Sequence, residues 1–154
     1  MNHRFQYTSE IATCHPKATI YEAAKVMRDY HVGDVIVTEE RSYGKQIPVG
    51  ILTDRDIVVE LIAQAIPLEK ILVKDVMSTE LVVADVSQNL KALISLMKLR
   101  GVRRLPVVDS NGELKGVICA DDIMEEIAQE IASLAKLPKH QKHIEEELRG
   151  ESRP

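Results

Sequence analysis

The sequence predicts an α+β fold built from two similar halves, each running helix, strand, strand, helix, with a helical C-terminal extension. Three observations lead to this prediction: a repeated pattern, apolar residues at helical spacing where each copy opens, and a glycine-led segment after the strands of each copy. The two segments are GILTDRDI at 50–57 and GVICADDI at 116–123. Repeats this long are duplicated subdomains rather than solenoid units of about 20–50 residues. We therefore expect two halves related by a pseudo-twofold axis.

The helix that opens each copy is predicted from apolar residues at positions i, i+3, i+4 and i+7. These are Ile20, Ala23, Ala24 and Met27 in the first copy, and Leu90, Leu93, Ile94 and Met97 in the second. This spacing puts the four side chains of each copy on one face of a helix, so each helix should bury a single stripe.

Two short apolar runs follow each helix, at 35–38 and 48–52, and at 105–108 and 114–118. Runs of this length are typical of strands. Asn111 and Gly112 lie between the second pair, where this dipeptide indicates a hairpin turn. The first copy has four additional residues within 39–46, which we place in the loop between its strands.

A second helix is predicted after each glycine-led segment, from 54 to about 65 and from 120 to about 135, and Pro67 ends the first of them. In the tail, an apolar stripe continues from Ile123 toward Leu137, and the charged residues 139–149 after Pro138 suggest a further helix that packs or dimerises. The predicted organisation is a first motif at 8–66, a linker at 67–78, a second motif at 79–137 and a tail at 138–154.

The composition limits the function classes. The 154 residues are 45% hydrophobic but only 3% aromatic, which suits one core of aliphatic side chains. No run approaches the roughly 18 to 20 apolar residues of a membrane span, and no signal-peptide pattern is present, so we expect a cytoplasmic protein. A net charge of -4 argues against broad nucleic-acid binding. Cys14 and Cys119 lack metal-ligand spacing and are expected to be free thiols.

Thr53 and Asp56 give the first glycine-led segment two readings. At the start of a helix, unpaired backbone N–H groups favour an anion, and an ionised carboxylate accepts hydrogen bonds from ribose hydroxyls. The same Thr-x-x-Asp pattern is also a variant of the capping box, in which the two side chains only begin the helix. Arg55 in the first turn opposes the helix dipole, which a bound phosphate would reverse. The residues alone leave both readings open.

The chain resembles the cystathionine-β-synthase (CBS) domain family, as a stand-alone tandem pair, over roughly residues 8 to 130. The resemblance rests on HVGDVIV and GILTDRDI in the first copy, GVRRLPVVD and GVICADDI in the second, and the lead-in Lys74-Asp75-Val76-Met77. It implies that Thr53 and Asp56 contact the ribose of an adenine nucleotide and that Thr13 approaches the base or ribose. It also implies that the backbone of Val32, Gly33, Asp34 and Val35 lines the adenine, with apolar contact from Val32. Arg55 is assigned to the same cleft because of its charge in the first turn of the helix.

The second cleft implied by the resemblance departs from this pattern. Cys119 and Val83 stand where the first copy has Thr53 and Thr13, although Asp122 is kept. Val102, Arg103, Arg104 and Leu105 correspond to the adenine-lining segment. The two arginines either bind phosphate or belong to a degenerate site, where they are solvated or paired with Asp121 and Asp109. Asp34 in the first copy is expected to repel phosphates, which favours AMP over a triphosphate unless Mg²⁺ intervenes.

These observations predict a regulatory module that binds an adenosine-containing nucleotide and signals its occupancy to an unknown partner protein, with no required cofactor. The alternative is a ligand-free dimerisation scaffold, and a homodimer is expected in either case. An enzyme is the third reading: no catalytic motif is present, although His15 and His31 lie near the first cleft in the family pattern. His140 and His143 have no third ligand in view, so no metal site is predicted.

Overall fold

The computed structural model describes the backbone of residues 7–150 and the side chains of residues 7–137 and of Ile144. The chain forms two compact units that join between Ile118 and Cys119, and each is described by itself. The first unit holds two three-stranded sheets with their helices, and the second is helical. The predicted α+β fold is confirmed.

The first sheet has the order β1-β2-β3, from strands Thr13–Cys14, Asp34–Arg41 and Lys45–Thr53. β1 runs parallel to β2, and β2 runs antiparallel to β3. Both long strands exceed the predicted runs, because the additional residues lengthen the hairpin and leave only a 3₁₀ turn at Ser42–Gly44 between them. The register of β2 against β3 shifts after Val37, where β3 has one residue more than β2 opposite it.

The first helix, α1, spans Ile20–Tyr30 and buries Ile20, Ala23 and Met27, whereas Ala24 is exposed. It begins with a full capping box, in which Thr19 and Glu22 bond to each other's backbone N–H groups. Backbone and side-chain hydrogen bonds from Thr19 hold the pKa of Glu22 below its usual value. The predicted helix is confirmed.

After β3 the chain enters α2, Asp54–Asp56, which continues as a π-helical segment, Ile57–Ile62. The backbone N–H of Ala63 donates to the carbonyl of Val58, five residues back. π-Helical turns are rare in proteins, and those that occur often lie at functional sites. The chain then forms two 3₁₀ turns, Leu68–Lys70 and Val73–Asp75, and Val73 is fully buried in the core of the first motif.

The second sheet has the order β4-β5-β6, from strands Ala84–Asp85, Arg104–Val108 and Leu114–Cys119. The helix before β5, α3, spans Leu90–Arg100 and buries Leu93 and Met97. Between β5 and β6, Gly112 has a φ of 76° and its N–H donates to the carbonyl of Asp109. The hairpin predicted from Asn111 and Gly112 is confirmed.

Each sheet receives one more residue from the segment that leads into the other motif. Ser78, ahead of the second motif, exchanges two backbone hydrogen bonds with Ile51 of β3, at 2.9 and 3.0 Å. Thr8, ahead of the first motif, exchanges two with Val117 of β6, at 3.1 and 3.2 Å. The exchange is reciprocal, as expected of two halves related by a pseudo-twofold axis.

Gly50 and Gly116, which open the two repeated segments, make this exchange possible. A Cβ added to Gly50 would lie 2.8 Å from the backbone oxygen of Ser78. A Cβ added to Gly116 would lie 2.6 Å from the backbone oxygen of Thr8. Only glycine lets a neighbouring backbone come so close.

The second unit contains α4, a single helix over Ala120–Gly150. The predicted interruption after Pro138 is wrong, because the helix continues through that residue although proline removes one backbone hydrogen bond. Met124, Ile127, Ile131, Leu134 and Leu137 are exposed along it. Despite its length, neither this helix nor any other in the described part of the chain is apolar enough to cross a membrane.

Candidate functional site

The first signature turn is held by three hydrogen bonds between Thr53 and Asp56. Asp56 Oδ2 accepts from the Thr53 backbone N–H at 2.9 Å and from the Thr53 hydroxyl at 2.7 Å. The Thr53 hydroxyl oxygen accepts in turn from the Asp56 backbone N–H at 3.1 Å. The capping-box reading is therefore confirmed, and both side chains are half-buried where β3 passes into α2.

The cap leaves hydrogen-bonding capacity for a ligand. A carboxylate has two acceptor oxygens and a hydroxyl has two lone pairs. Both bonds that the Asp56 carboxylate accepts use Oδ2, so Oδ1 retains its lone pairs. A cap and a ribose site are therefore chemically compatible in the same two residues.

The structure brings the predicted residues of the first cleft to one end of the first sheet. Asp34 at the start of β2 is the register partner of Thr53 at the end of β3. The Gly33 carbonyl accepts from the Asp54 backbone N–H at 2.9 Å, and Thr13 pairs with Ile36 two residues along β2. A Cβ on Gly33 would lie 3.1 Å from a carboxylate oxygen of Asp54. This segment therefore packs directly on the signature turn.

Asp34 forms an ion pair with Arg104, between an Arg104 guanidinium nitrogen and Asp34 Oδ2. The Arg104 and Asp34 side chains are 34% and 17% exposed, so the pair is partly shielded from water. Asp34 was not among the partners predicted for Arg104. The expected repulsion of phosphates by Asp34 stays a prediction, and the neighbouring Arg104 offsets part of the Asp34 charge.

Val35 and Leu105 of the adenine-lining segments belong to the interior, and Val32 is partly covered by it. Val35 and Leu105 are fully buried, and Val32 is half-buried and packs against the core of the first motif. Val35 and Leu105 can therefore offer a ligand their backbone groups but not their side chains. The expected apolar contact from Val32 is limited to the part of its side chain that the core leaves uncovered.

The second signature turn keeps the backbone-to-carboxylate bond of the cap. Asp122 Oδ2 accepts from the Cys119 backbone N–H at 3.0 Å. A thiol is a weak acceptor, which makes Cys119 a poor substitute for the threonine hydroxyl. Both residues lie in the second unit, whereas Val83, Val102, Arg103 and Arg104 lie in the first. Val83 and Arg103 are exposed and Val102 is half-buried. Their convergence into a second cleft stays a prediction.

The other polar residues near the first cleft have local roles. His15 Nδ1 accepts from the Lys17 backbone N–H at 3.1 Å, and His31 ends α1 in a left-handed conformation with φ of 54°. Arg55 is exposed in the first turn of α2. Burial raises the pKa of the Cys14 thiol to about 11, so Cys14 is protonated and unreactive at neutral pH.

No group of three or more His, Cys, Asp or Glu side chains is placed to hold a metal ion within the part of the chain that the structure describes. His140 and His143 lie outside the described side chains. Cys14 and Cys119 are thiols and do not form a disulfide with each other, as expected.

The fold and the duplicated turn define a pair of CBS motifs, and comparison with known proteins agrees. The model of the CBS domain family matches residues 6–63 and again residues 73–129. The chain belongs to the CBS domain family and carries the domain in tandem.

Three similar proteins illustrate this relationship. The CBS domain-containing protein YhcV of Bacillus subtilis is 38% identical over 116 residues, covering 75% of this chain and 78% of the relative. An uncharacterized protein of Methanopyrus kandleri is 31% identical over 139 residues, covering 90% and 67%. The CBS domain pair of protein MJ0100, solved with 5′-methylthioadenosine and S-adenosyl-L-methionine, superimposes with a TM-score of 0.67 at 22% identity, covering 80% of this chain and 93% of that one. This last likeness concerns the fold.

Proposed function

We propose that this chain is a regulatory module that binds an adenosine-containing nucleotide at the Thr53–Asp56 turn and signals its occupancy to a partner protein. The observation that carries the proposal is the geometry of this turn. A carboxylate with one uncommitted oxygen, a hydroxyl with a remaining lone pair and the start of a helix meet at one end of a sheet. The CBS pair of MJ0100, which was solved with adenosine-containing ligands, supports the same class of ligand.

AMP is the nucleotide we favour. Arg55 supplies an exposed positive charge in the turn, whereas the charge of Arg104 is offset by Asp34. One phosphate suits this charge balance better than three, and Mg²⁺ would be needed to bring a triphosphate close to Asp34. S-adenosylmethionine and NAD are the other adenosine ligands to compare.

Signalling would operate through linkage. A nucleotide that binds one arrangement of the two motifs better than another shifts the population toward it, by as much as its affinities differ. A partner that recognises the favoured arrangement then responds to the nucleotide concentration. We propose a cytoplasmic, non-catalytic homodimer without affinity for nucleic acids or membranes.

The second candidate is a ligand-free dimerisation scaffold. The complete capping box favours it, since helix initiation alone explains both Thr53 and Asp56. Exposed apolar side chains favour an association surface: Val58 is 52% exposed and Met124, at the equivalent position of the second copy, is 55% exposed.

The test separates cap from ligand site by comparing two capping boxes. Thr19→Ala removes the cap of α1, and Thr53→Ala removes the cap of α2, so each should cost about 0.5–2 kcal/mol of stability. Only Thr53→Ala should also weaken AMP binding in calorimetry, by about fivefold for one hydrogen bond. Thr53→Asn should restore stability without restoring affinity. If no adenosine ligand stabilises the unmutated protein, the chain is a dimerisation scaffold rather than a nucleotide-binding module.

The inequality of the two clefts has its own test. Asp56→Ala removes a charged acceptor and should weaken AMP binding by about tenfold or more. Asp122→Ala should leave the high-affinity site intact, because the second turn lacks the threonine hydroxyl. Equal losses would contradict an unequal pair. Hydrolysis of ATP by the purified protein, abolished by His15→Ala or His31→Ala, would instead establish an enzyme.

A further inference from the structure

A cavity of about 530 Å³ lies in the first unit between the helix that follows the signature turn and the linker to the second motif. Asp56, Glu60 and Gln64 line it from the helix side. Asp75 and Ser78 line it from the linker side. Its volume falls within the range of small-molecule sites, roughly 300–1,000 Å³.

The floor of this cavity is apolar. Leu61 is buried and belongs to the core of the first motif. Ile66, Ile71 and Val76 are half-buried, pack against that core and also line the cavity. A ligand would therefore find an aliphatic surface below and polar groups at the rim.

The rim carries three carboxylates and no lysine, arginine or histidine among the lining residues. Each carboxylate is oriented through one oxygen. Asp75 Oδ2 accepts from the Leu72 backbone N–H at 3.0 Å, Glu60 Oε2 accepts from the Gln64 amide at 3.3 Å, and Asp56 Oδ2 is bound by Thr53. In the described side chains no basic group forms an ion pair with any of the three. The cavity therefore combines negative charge with acceptors held in place.

The three carboxylates are not among any group of described side chains placed to hold one metal ion together. A chain with a positive charge at each end could contact two carboxylates at once and lay its methylene groups along the apolar floor. Each ammonium group has three hydrogen-bond donors for acceptors of this kind.

We propose that this cavity binds a linear aliphatic diamine or polyamine, with its ammonium groups on the rim carboxylates and its methylene chain on the floor. Glu60 and Asp75 belong to this cavity alone, whereas Asp56 is shared with the nucleotide site proposed at the signature turn. The test below leaves Asp56 unmutated, so the failure of one proposal is distinguishable from failure of the other.

The test is a titration of the full chain with 1,5-diaminopentane, followed by the amide resonances of residues 56–78 in ¹H–¹⁵N spectra. We expect saturable shifts in this segment and an affinity that falls with added salt. Pentylamine, which has one charge, should bind more weakly. Glu60→Gln and Asp75→Asn should each weaken binding by about two- to fivefold, the range for exposed ion pairs. The asparagine keeps an acceptor for the Leu72 N–H, so the linker turn should remain folded.

The matched control is Glu69→Gln, which removes an exposed linker carboxylate that does not line the cavity. It should leave the diamine affinity unchanged. An equal loss in this variant would overturn the proposal, since any surface charge would then serve. Equivalent shifts with MgCl₂ at the same concentration, or no saturable shift with the diamine, would overturn it as well.

Discussion

Asp34 and Arg104 occupy the same position of the two motifs, 70 residues apart, and form an ion pair with each other. The duplicated position therefore carries opposite charges in the two copies. A pseudo-twofold arrangement brings equivalent loops together, where like charges would repel and opposite charges attract. The pair joins the two motifs directly, at the end of the first sheet where the nucleotide is proposed to bind.

Replacement of Asp34 by asparagine should have opposite effects on stability and on ligand affinity. The free energy of unfolding should fall by about 1 kcal/mol, the upper range for a partly exposed ion pair. AMP should bind up to about fivefold more tightly, because the carboxylate that competes with its phosphate for Arg104 is gone. Urea denaturation and calorimetry measure the two effects on the same protein.

The control is Asp29→Asn, which removes an exposed carboxylate of α1 that is not part of this ion pair. It should change neither quantity appreciably. If Asp34→Asn weakens AMP binding, Asp34 is a ligand contact rather than a competitor for Arg104.

Alanine at Gly50 or Gly116 should destabilise the protein by about 1–3 kcal/mol, the usual cost of overpacking. The new Cβ would lie 2.8 or 2.6 Å from a backbone oxygen of the lead-in segment, so strand and lead-in would have to separate. Gly33→Ala provides the comparison, because its nearest neighbour is the mobile end of the Asp54 side chain at 3.1 Å. Equal losses at all three sites in thermal unfolding would show that close backbone approach is not the cause.

Glycine at position 31 should stabilise the protein by about 0.5–1 kcal/mol. His31 and Gly101 end the equivalent helices α1 and α3, and both are left-handed, with φ of 54° and 65°. A side chain in this conformation costs roughly 1–2 kcal/mol, and the flexibility of glycine in the unfolded chain offsets part of the gain. The reverse change, Gly101→His, should destabilise by a similar amount. A loss of stability in His31→Gly would show that the imidazole makes a contact worth more than the strain.

The stabilising effect of Cys14 should decrease as the pH rises from about 9 toward about 11. Burial raises the pKa of its thiol from 9.0 to about 11, so the unfolded chain loses this proton first. The contribution of the neutral Cys14 thiol to the free energy of unfolding is complete below pH 9. It is lost as the pH rises toward the pKa of this thiol in the folded protein, about 11. The measurement is the difference in unfolding free energy between the native sequence and Cys14→Ala across this range. Parallel pH profiles for the two proteins would contradict a buried neutral thiol.

Most of the fold was predictable because the repeat supplied two independent readings of each element. The stripe ending at Met27 recurs at Met97, and both helices are present. The continuity of α4 through Pro138 was not predictable, because local preference places a helix boundary at proline. The π-helical segment Ile57–Ile62 was also missed, since an apolar pattern does not distinguish turns of slightly different width.

The site was predictable only where its residues are close in sequence. Thr53 and Asp56, three positions apart, have two readings in the sequence; the capping box is observed, and the ribose site stays a prediction. The ion pair between Asp34 and Arg104 was not predicted, because only the fold brings these two residues together. Their equivalent positions in the repeat were nevertheless a usable signal. Glu60 and Asp75 fit no motif, and only the path of the linker brings them to one cavity.

The exchange of lead-in segments between the two sheets also constrains how the chain can be synthesised. During synthesis, Ile51 at the edge of the first sheet cannot pair until Ser78 has been made. Thr8 likewise cannot pair until Val117 has left the ribosome. The segment around Thr8 is therefore made long before the strand with which it pairs. A nascent chain that stalls after the first motif exposes two unpaired strand edges, which are natural substrates for chaperones and the point at which two such chains could exchange segments.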